Sequence, residues 1–225
     1  MTITDAIPIA PLFKTRVTQV TGTTNRVQAD RCAEIFRKNT RKFRAGQRIA
    51  FEGEEFASVL CLLEGWIALS KTLEDGERQI IDFVLPGDVT TAVSADGMTS
   101  CLEVEALTDV VVATLNHAEW EDLQTAFPDL RELTEHLAAA AQARLSERML
   151  RLGKGSASMR IAYALLELCV RLRSIGQTHD HAFHLPLTQQ YLGEFTGLSK
   201  VHVCRTLRRL NRQGIITTED HLDIR

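Results

Sequence analysis

The segment from residue 187 to residue 210 constrains the fold most, because helix starts and turns follow one another at fixed spacing. Thr188 and Ser199 can each cap a helix through the side-chain hydroxyl. Gly197 lies where the chain must turn sharply, with a positive φ, and Gly193 supplies the small residue that two closely crossing helices need. The inward face of the second helix is expected to consist of Val203, Leu207 and Leu210. The spacing predicts a helix-turn-helix.

The second of these helices is basic, although the chain as a whole has a formal net charge of −3. In a helix-turn-helix the second helix enters the major groove of DNA with its N-terminal residues at the base edges. Arg205 can donate two hydrogen bonds to guanine, Lys200 can reach a guanine or a phosphate, and Val201 can contact a thymine methyl. The residues expected at phosphates are Gln189, Gln190, Ser199 and His202, and Thr188 and Arg209 complete the predicted DNA-binding set. A solvated helix face is the alternative for the basic residues alone.

A region of short strands precedes this unit, between about residues 43 and 115. Glycines at positions 46, 53, 65, 76 and 87 separate apolar runs at gaps of 7, 12, 11 and 11 residues, and Asp75-Gly76 is a hairpin signal. Regular spacing of strands and turns predicts antiparallel strands in a sandwich or barrel. The expected strands are Arg48–Phe51, Val59–Leu63, Trp66–Ser70, Gln79–Leu85 and Val110–Leu115. A short helix is expected before them, at Ala29–Asn39.

A long amphipathic helix is predicted next, beginning at Pro128 and ending near Gly153. Its apolar residues recur every three or four positions and form one stripe. We expect this stripe to meet the same helix of a second copy, and packing on its own domain is the alternative. The predicted dimer interface is Leu130, Leu133, Leu137, Ala141, Leu145, Met149 and Leu152.

The remainder of the chain is expected to be a small helical domain that ends in a β-hairpin. A helix is predicted at Arg160–Ser174 and a strand at Ala182–Leu187. The terminal hairpin is predicted to pair Gly214–Thr217 with Leu222–Ile224 around Glu219-Asp220. A hairpin at this place makes the helix-turn-helix a winged one.

Composition narrows the class of protein. Hydrophobic residues make up 44% and charged residues 24% of the 225 residues, which is ordinary for a globular protein. No apolar run approaches the roughly 18 residues of a membrane span, and no secretory signal is recognisable, so we expect a cytoplasmic protein without a membrane partner. The five cysteines are scattered, which favours free thiols. The sequence contains no P-loop, nucleophile elbow or H-E-x-x-H motif, so it is not expected to be an enzyme.

From about Phe43 to its end the chain resembles the CRP/FNR family of bacterial transcription regulators. The motifs that carry the resemblance are Phe43-Arg-Ala-Gly46, Leu63-Glu-Gly65, Leu85-Pro-Gly87-Asp88, Arg160-Ile-Ala162 and Leu187-Thr188 through Arg205. The resemblance implies an α+β protein with an N-terminal antiparallel β-roll for the effector at residues 1–127, a dimerisation helix at 128–153 and a winged helix-turn-helix at 154–225. It implies a homodimer that binds double-stranded DNA at a palindromic operator and, if it is an activator, RNA polymerase.

The effector is left unidentified by this resemblance. Where the cyclic-AMP-binding branch has an Arg-Ser pair for the phosphate, this chain has Ser100-Cys101, and a Thr-Ser pair at the adenine becomes Leu145-Ser146. Cyclic AMP is therefore not expected. The candidate effector pocket consists of Asp88, Ser100, Cys101 and Ser146. The alternative function is a cyclic-nucleotide-binding regulatory module that acts through protein contacts.

The sequence gives little support for an effector or cofactor that contains a metal. Residues 1–31 lack cysteine, so the cysteine-ligated iron–sulfur cluster of the oxygen-sensing branch is not expected. Haem ligation by a histidine such as His117 or His136 stays open. The H-x-H-x-x-H segment at residues 179–184 is interpreted as a polar loop and not as a metal site. Both known branches place a Glu where this chain has Val201, so only Arg205 carries over directly to the base-reading positions.

Overall fold

The structure is a computed structural model, and it describes residues 16–17, 26–92, 98–179, 182–219 and 223–224. The chain divides into two compact units. The first unit comprises residues 1–69 and 83–140, and the second comprises residues 70–82 and 141–225. None of the described helices combines the length and apolar character that a membrane span requires.

Two four-stranded sheets organise the first unit. The eight strands are β1 (Thr40–Phe43), β2 (Arg48–Ala50), β3 (Ser58–Glu64), β4 (Ile67–Thr72), β5 (Arg78–Val84), β6 (Val89–Thr91), β7 (Glu103–Ala106) and β8 (Val110–Asn116). One sheet has the strand order β1-β8-β3-β6 and the other β2-β7-β4-β5. The pairings of β8 with β1 and β3, of β3 with β6 and of β2 with β7 are antiparallel. The outer ends of β4 and β5, residues 70–82, belong to the second unit.

The paired strands β3 and β8 are buried on both faces, which explains their nearly continuous apolar sequence. Alternate side chains of a strand point to opposite faces. Leu60 and Leu62 therefore pack towards the second sheet with Val110 and Val112. The residues between them face the helices, and this second core cluster includes Val59, Cys61, Leu63, Val111, Ala113 and Leu115. One sheet thus separates two hydrophobic layers.

Helices cover the outer layer of the first unit. They are α1 (Arg26–Lys38), α2 (His117–Ala126) and the first part of α3 (Pro128–Lys154). A capping box starts α2: Asn116 accepts from the backbone of Glu119, whose carboxylate accepts from the backbone of Asn116. The ring centroids of Phe36 and Trp120 lie 6.5 Å apart between α1 and α2.

The first two leucines of the expected dimer stripe belong to the hydrophobic layer between these helices and the sheet that contains β3 and β8. Leu130 and Leu133 are 2% and 1% exposed and pack with the helices and sheet of their own chain. Assigning them to a dimer interface is therefore a wrong prediction, because helical periodicity shows that a face is buried but not what buries it. The exposed apolar residues of the stripe lie further along α3.

The second unit is built on three further helices, α4 (Ala157–Ser174), α5 (Gln189–Thr196) and α6 (Lys200–Arg212). A three-stranded sheet, ordered β10-β11-β9, completes it with β9 (Phe183–His184), β10 (Thr218–Glu219) and β11 (Asp223–Ile224). Its buried residues include Ile161, Leu165, Leu168, Leu172, Leu192, Phe195, Val203, Leu207 and Leu210. The predicted α+β class, with antiparallel strands first, a long helix and a C-terminal winged helix-turn-helix, is confirmed.

Two strand predictions in the second unit need correction. Gly214 has φ +68° and donates to Asn211, while Ile215 donates to Leu210, so residues predicted as a strand form the C-terminal cap of α6. The first wing strand accordingly begins at Thr218. The strand predicted at Ala182–Leu187 is confined to β9. Residues 220–222, in the predicted turn and second wing strand, lie outside the described residues.

Candidate nucleic-acid interface

The turn between α5 and α6 has the geometry that its residues predict. The Thr188 hydroxyl accepts from the backbone of Tyr191 at 3.2 Å, and the Ser199 hydroxyl accepts from that of His202 at 3.4 Å. Gly197 ends α5 with φ +64°, in the left-handed region that favours glycine. Both caps and the glycine turn are therefore confirmed, and they set where α6 begins.

Helix α6 has one buried face and one open face. Val203, Leu207 and Leu210 are 0%, 4% and 3% exposed. On the opposite side, the side chains predicted to read DNA are exposed to solvent, namely Lys200, Val201, His202 and Arg205. Three of these four can donate hydrogen bonds from a side chain, and no acid lies on the helix. The arrangement can therefore contact bases and phosphates together.

The predicted phosphate contacts differ in how they are held. Gln190 is exposed, and its Nε2 donates to Oε1 of Glu194 at 2.9 Å. Gln189 is half-buried at the start of α5. Arg209 donates to the hydroxyl of Ser158. Of these three predicted contacts, Gln190 and Arg209 thus combine an exposed position with a held side chain.

Arg160 supports the turn from α4, a role that the sequence did not suggest. Its Nε donates to the carbonyl of Gly155 at 3.1 Å, and its Nη1 donates to the carbonyl of Gly197 at 3.3 Å. The carbonyls at a helix C-terminus lack intrahelical partners and carry partial negative charge, so a cation satisfies them well. Arg160 therefore joins the start of α4 to the end of α5.

The hairpin between β4 and β5 also contacts the helix-turn-helix. Asp75-Gly76 forms the predicted turn, with φ +89° at Gly76. Arg78 donates to the hydroxyl of Ser70 at 3.0 Å, and its Nη1 lies 3.5 Å from Oε2 of Glu194. Gln79 donates to the carbonyl of Phe195 at 3.3 Å. These contacts fix the hairpin against α5.

A buried ionic cluster joins the hairpin, α3 and α4. Asp82 and Glu167 lie among three arginines, with nitrogen–oxygen distances of 3.1 to 3.7 Å, and the arginines are Arg144, Arg148 and Arg171. Burial raises the pKa of Glu167 above its ordinary value, and the negative charge of Asp82 adds to the shift, although the three arginines oppose it. The ionised carboxylate of Glu167 is therefore less stable in this cluster than it would be in water.

The predicted effector positions are occupied by internal hydrogen bonds. The Asp88 carboxylate pairs with Arg16 at 3.0 Å. The buried Ser100 hydroxyl is bonded to the carbonyls of Ala92 at 3.1 Å and Leu102 at 2.6 Å, and the backbone of Cys101 donates to Ala92 at 2.6 Å. These donors face carbonyls, so residues 100 and 101 do not fit a cyclic phosphate. Ser146, in the second unit, is exposed and donates to the carbonyl of Gln142 at 3.0 Å.

No metal-ligand cluster stands out in the part of the chain that the structure describes. Within those ranges, no three His, Cys, Asp or Glu side chains form a group that could hold a metal ion. His181, the middle histidine of the H-x-H-x-x-H segment, lies outside them.

Beyond Leu133, the residues of the expected dimer stripe are half-buried or exposed. Leu137 packs partly against the core of the first unit, and Ala141 and Leu152 are half-buried. Leu145 and Met149 are 46% and 65% exposed. Large apolar side chains at helical spacing are thus open on the second half of α3.

Two family models match this chain, one over its strand region and one over its C-terminal helices. Residues 40–126 match the family model of the cyclic nucleotide-binding domain, and residues 159–225 match that of the Crp-like helix-turn-helix domain. The nitrogen fixation regulation protein FixK of Bradyrhizobium diazoefficiens is 30% identical over 174 residues, covering 77% of this chain and 72% of FixK.

A second curated relative and a solved structure are similar to this chain over most of its length. The transcriptional activator protein FnrL of Cereibacter sphaeroides is 27% identical over 186 residues, covering 81% of this chain and 74% of FnrL. The solved structure of FixK2 from Bradyrhizobium japonicum superposes with a TM-score of 0.71 at 28% identity, covering 82% of this chain and 90% of that one.

Proposed function

The chain belongs to the CRP/FNR family and is a DNA-binding transcription regulator, and we propose that it acts as a homodimer on a twofold-symmetric operator. The observation that carries the proposal is the capped helix α6, whose basic face is open to solvent while its apolar face is buried. A dimer would present two such helices to successive major grooves, and the half-sites would mirror its symmetry.

The predicted residues divide into those that read bases and those that bind phosphates. Arg205 reads a guanine through two parallel hydrogen bonds, Lys200 binds a guanine or a phosphate, and Val201 packs on a thymine methyl. Residues that position the protein without reading sequence bind phosphates, and these are Thr188, Gln189, Gln190, Ser199, His202 and Arg209.

We assign the dimer interface to the second half of α3. Leu145 and Met149 are exposed apolar residues four positions apart, so they lie on one face of the helix. The half-buried Ala141 and Leu152 continue that face in both directions. The same helix in a second copy would cover these side chains and remove their apolar surface from water.

We further propose that the protein activates transcription, as the name of its relative, the transcriptional activator protein FnrL, suggests. In this proposal it does so in the cytoplasm, by binding RNA polymerase. Its three parts would be the β-roll at residues 1–127, the dimer helix at 128–153 and the DNA-binding domain at 154–225. We do not expect cyclic AMP to be the signal, and the engagement of the donors at residues 100 and 101 with backbone carbonyls supports this expectation.

Selection from a random pool of DNA duplexes tests the proposal, since it identifies the bound sequence without assuming one. The wild-type chain should recover an inverted repeat and bind it more weakly as salt increases, because phosphate contacts release counterions. Arg205→Ala should lose discrimination at one position of each half-site, by about 1–3 kcal/mol.

Lys42→Ala is the matched control, since Lys42 is an exposed cation of the first unit. It should leave base discrimination unchanged. Recovery of no inverted repeat by the wild type, or equal loss on all sequences in the Arg205 variant, would contradict the proposal. Tight binding of cyclic AMP without DNA binding would instead favour a cyclic-nucleotide regulatory module.

A further inference from the structure

We propose that Glu194 and Arg78 are positioning residues for DNA binding, which hold the Gln190 amide ready for a phosphate. The inference deepens the proposed function and rests on it. Gln190 would contact the DNA, whereas Glu194 and Arg78 act through Gln190.

The first step is the link between Gln190 and Glu194 on α5. A carboxylate can only accept hydrogen bonds, so the group of Gln190 that faces Glu194 must be its NH₂. One hydrogen of Nε2 is used in the 2.9 Å bond to Oε1 of Glu194. The second hydrogen remains for an anion, and the bond stops the amide from turning its carbonyl oxygen towards it.

The second step is the location of this amide. Gln190 and Glu194 line a cleft of about 560 Å³ together with Ser199 and Lys200 at the start of α6. A phosphate bound at the positive end of the α6 dipole and at Lys200 would therefore be close to Gln190.

The third step concerns charge. A carboxylate beside a phosphate repels it, and Glu194 lies on the same helix as a predicted phosphate contact. Arg78 offsets that charge from the hairpin, with its Nη1 at 3.5 Å from the other oxygen of Glu194. The side chains of Arg78 and Glu194 are only 19% and 15% exposed, so water screens this pair less than a surface pair.

Arg78 is itself held in place on two sides. Its Nε donates to the hydroxyl of Ser70 across the hairpin at 3.0 Å. Its guanidinium lies 6.0 Å from the ring centroid of Tyr191, one residue after Gln190. The hairpin therefore supplies a fixed cation to α5.

The experiment measures affinity of full-length variants for a duplex that the wild type recovers from a random pool. Gln190→Ala and Glu194→Met should each weaken binding about threefold to tenfold, the effect of one hydrogen bond. If electrostatic repulsion alone mattered, removal of the Glu194 carboxylate would tighten DNA binding. The positioning role predicts the opposite, namely weaker binding. In the Gln190→Ala background, Glu194→Met should cause no further loss.

Substitution of Arg78 provides a second, independent test, through the direction in which DNA affinity changes. Arg78→Met leaves the carboxylate of Glu194 uncompensated, so it should weaken binding more than Glu194→Met does. The double variant Arg78→Met/Glu194→Met should recover to the level of Glu194→Met alone. The salt dependence of binding should keep its slope in Glu194→Met, because that residue contacts no phosphate, whereas Lys200→Ala should reduce the slope by about 1.

The inference is overturned if Glu194→Met binds as tightly as the wild type or more tightly. It is also overturned if Glu194→Met weakens binding equally with and without Gln190, which would indicate a general effect on folding. Lys200→Ala and Arg205→Ala report separately on the proposed function. If they weaken binding while Gln190→Ala does not, the proposed function stands and the positioning role fails.

Discussion

The backbone N–H of Leu198 donates to the carbonyl oxygen of Gly193 at 2.9 Å, and the carbonyl oxygen of Leu198 fills the space where a side chain on residue 193 would begin. The turn before α6 is thereby pressed against α5. Any Cβ at residue 193 would overlap a backbone atom, which cannot rotate aside as a side chain could.

Gly193→Ala should therefore destabilise the second unit by about 1–3 kcal/mol, the usual cost of overpacking a tight contact. The displaced turn should also weaken DNA binding. Urea unfolding and a DNA titration of the same preparation would measure both effects.

Gly153→Ala is the matched control, since residue 153 lies within α3 and its Cβ would meet no atom within 4 Å. It should leave stability unchanged or raise it by about 0.5–1 kcal/mol through helix propensity. An equal loss of stability in both variants would refute the steric explanation.

The helix-turn-helix was predictable in detail because its rules are local. Thr188 and Ser199 cap helices with their own hydroxyls, and Gly197 adopts a positive φ between them. No distant partner is needed for any of these features. The Asp75-Gly76 turn was predictable for the same reason.

A second prediction concerns α3. Leu145→Glu/Met149→Glu should convert the protein to a monomer, because two charges would be buried at the centre of the proposed interface. The two side chains are 46% and 65% exposed in a single chain, so the far-ultraviolet circular dichroism spectrum should not change. Sedimentation at several concentrations would measure the mass.

Leu166→Glu provides the control for this pair, since Leu166 is 61% exposed on α4 and outside the stripe. It should sediment as the wild type does. Retention of a dimer by the α3 variant would place the interface elsewhere on the chain.

The buried ionic cluster predicts a dependence of stability on pH. Burial raises the pKa of Glu167, so the folded state binds its proton more tightly than the unfolded state does. Stability contributed by this proton is fully present below the ordinary pKa of about 4.5 and is lost as the pH rises through the raised value. Ionised Glu167 thus weakens the fold relative to its neutral form.

Urea unfolding of the wild type and of Glu167→Gln, from pH 4 to pH 8, would isolate this contribution. The free energy of unfolding of the wild type minus that of the variant should fall as the pH rises above about 4.5. A flat difference would mean that the three arginines balance burial, and a difference that increases with pH would mean that they outweigh it.

Two cysteines should resist alkylation in the native protein. Burial raises the pKa of Cys32 to about 12 and that of Cys61 well above its ordinary value, so neither presents the reactive thiolate. Cys101, Cys169 and Cys204 are only partly buried. Iodoacetamide at pH 8, followed by mass spectrometry, should modify these three first and the other two only in denaturant; early modification of Cys61 would contradict its burial.

Long-range contacts explain what the sequence could not predict. Arg78 and Glu194 are separated by 116 positions, and neither has a local motif that indicates the other. Leu130 and Leu133 have the same helical spacing as Leu145 and Met149, yet the first two pack on their own sheet. The short strands β1, β6 and β7 were missed because pairing with neighbouring strands stabilises three or four residues whose own pattern is weak.

The division of the chain into two units has a practical consequence for anyone who trims or recombines it. The polypeptide passes between the units after residues 69, 82 and 140, so no single cut separates them. A fragment starting at residue 141 would lack Asp82 and leave the three arginines of the ionic cluster with one fewer carboxylate to neutralise them. An excised DNA-binding module, or a chimera with a different sensor, therefore needs the hairpin from the N-terminal half to travel with it.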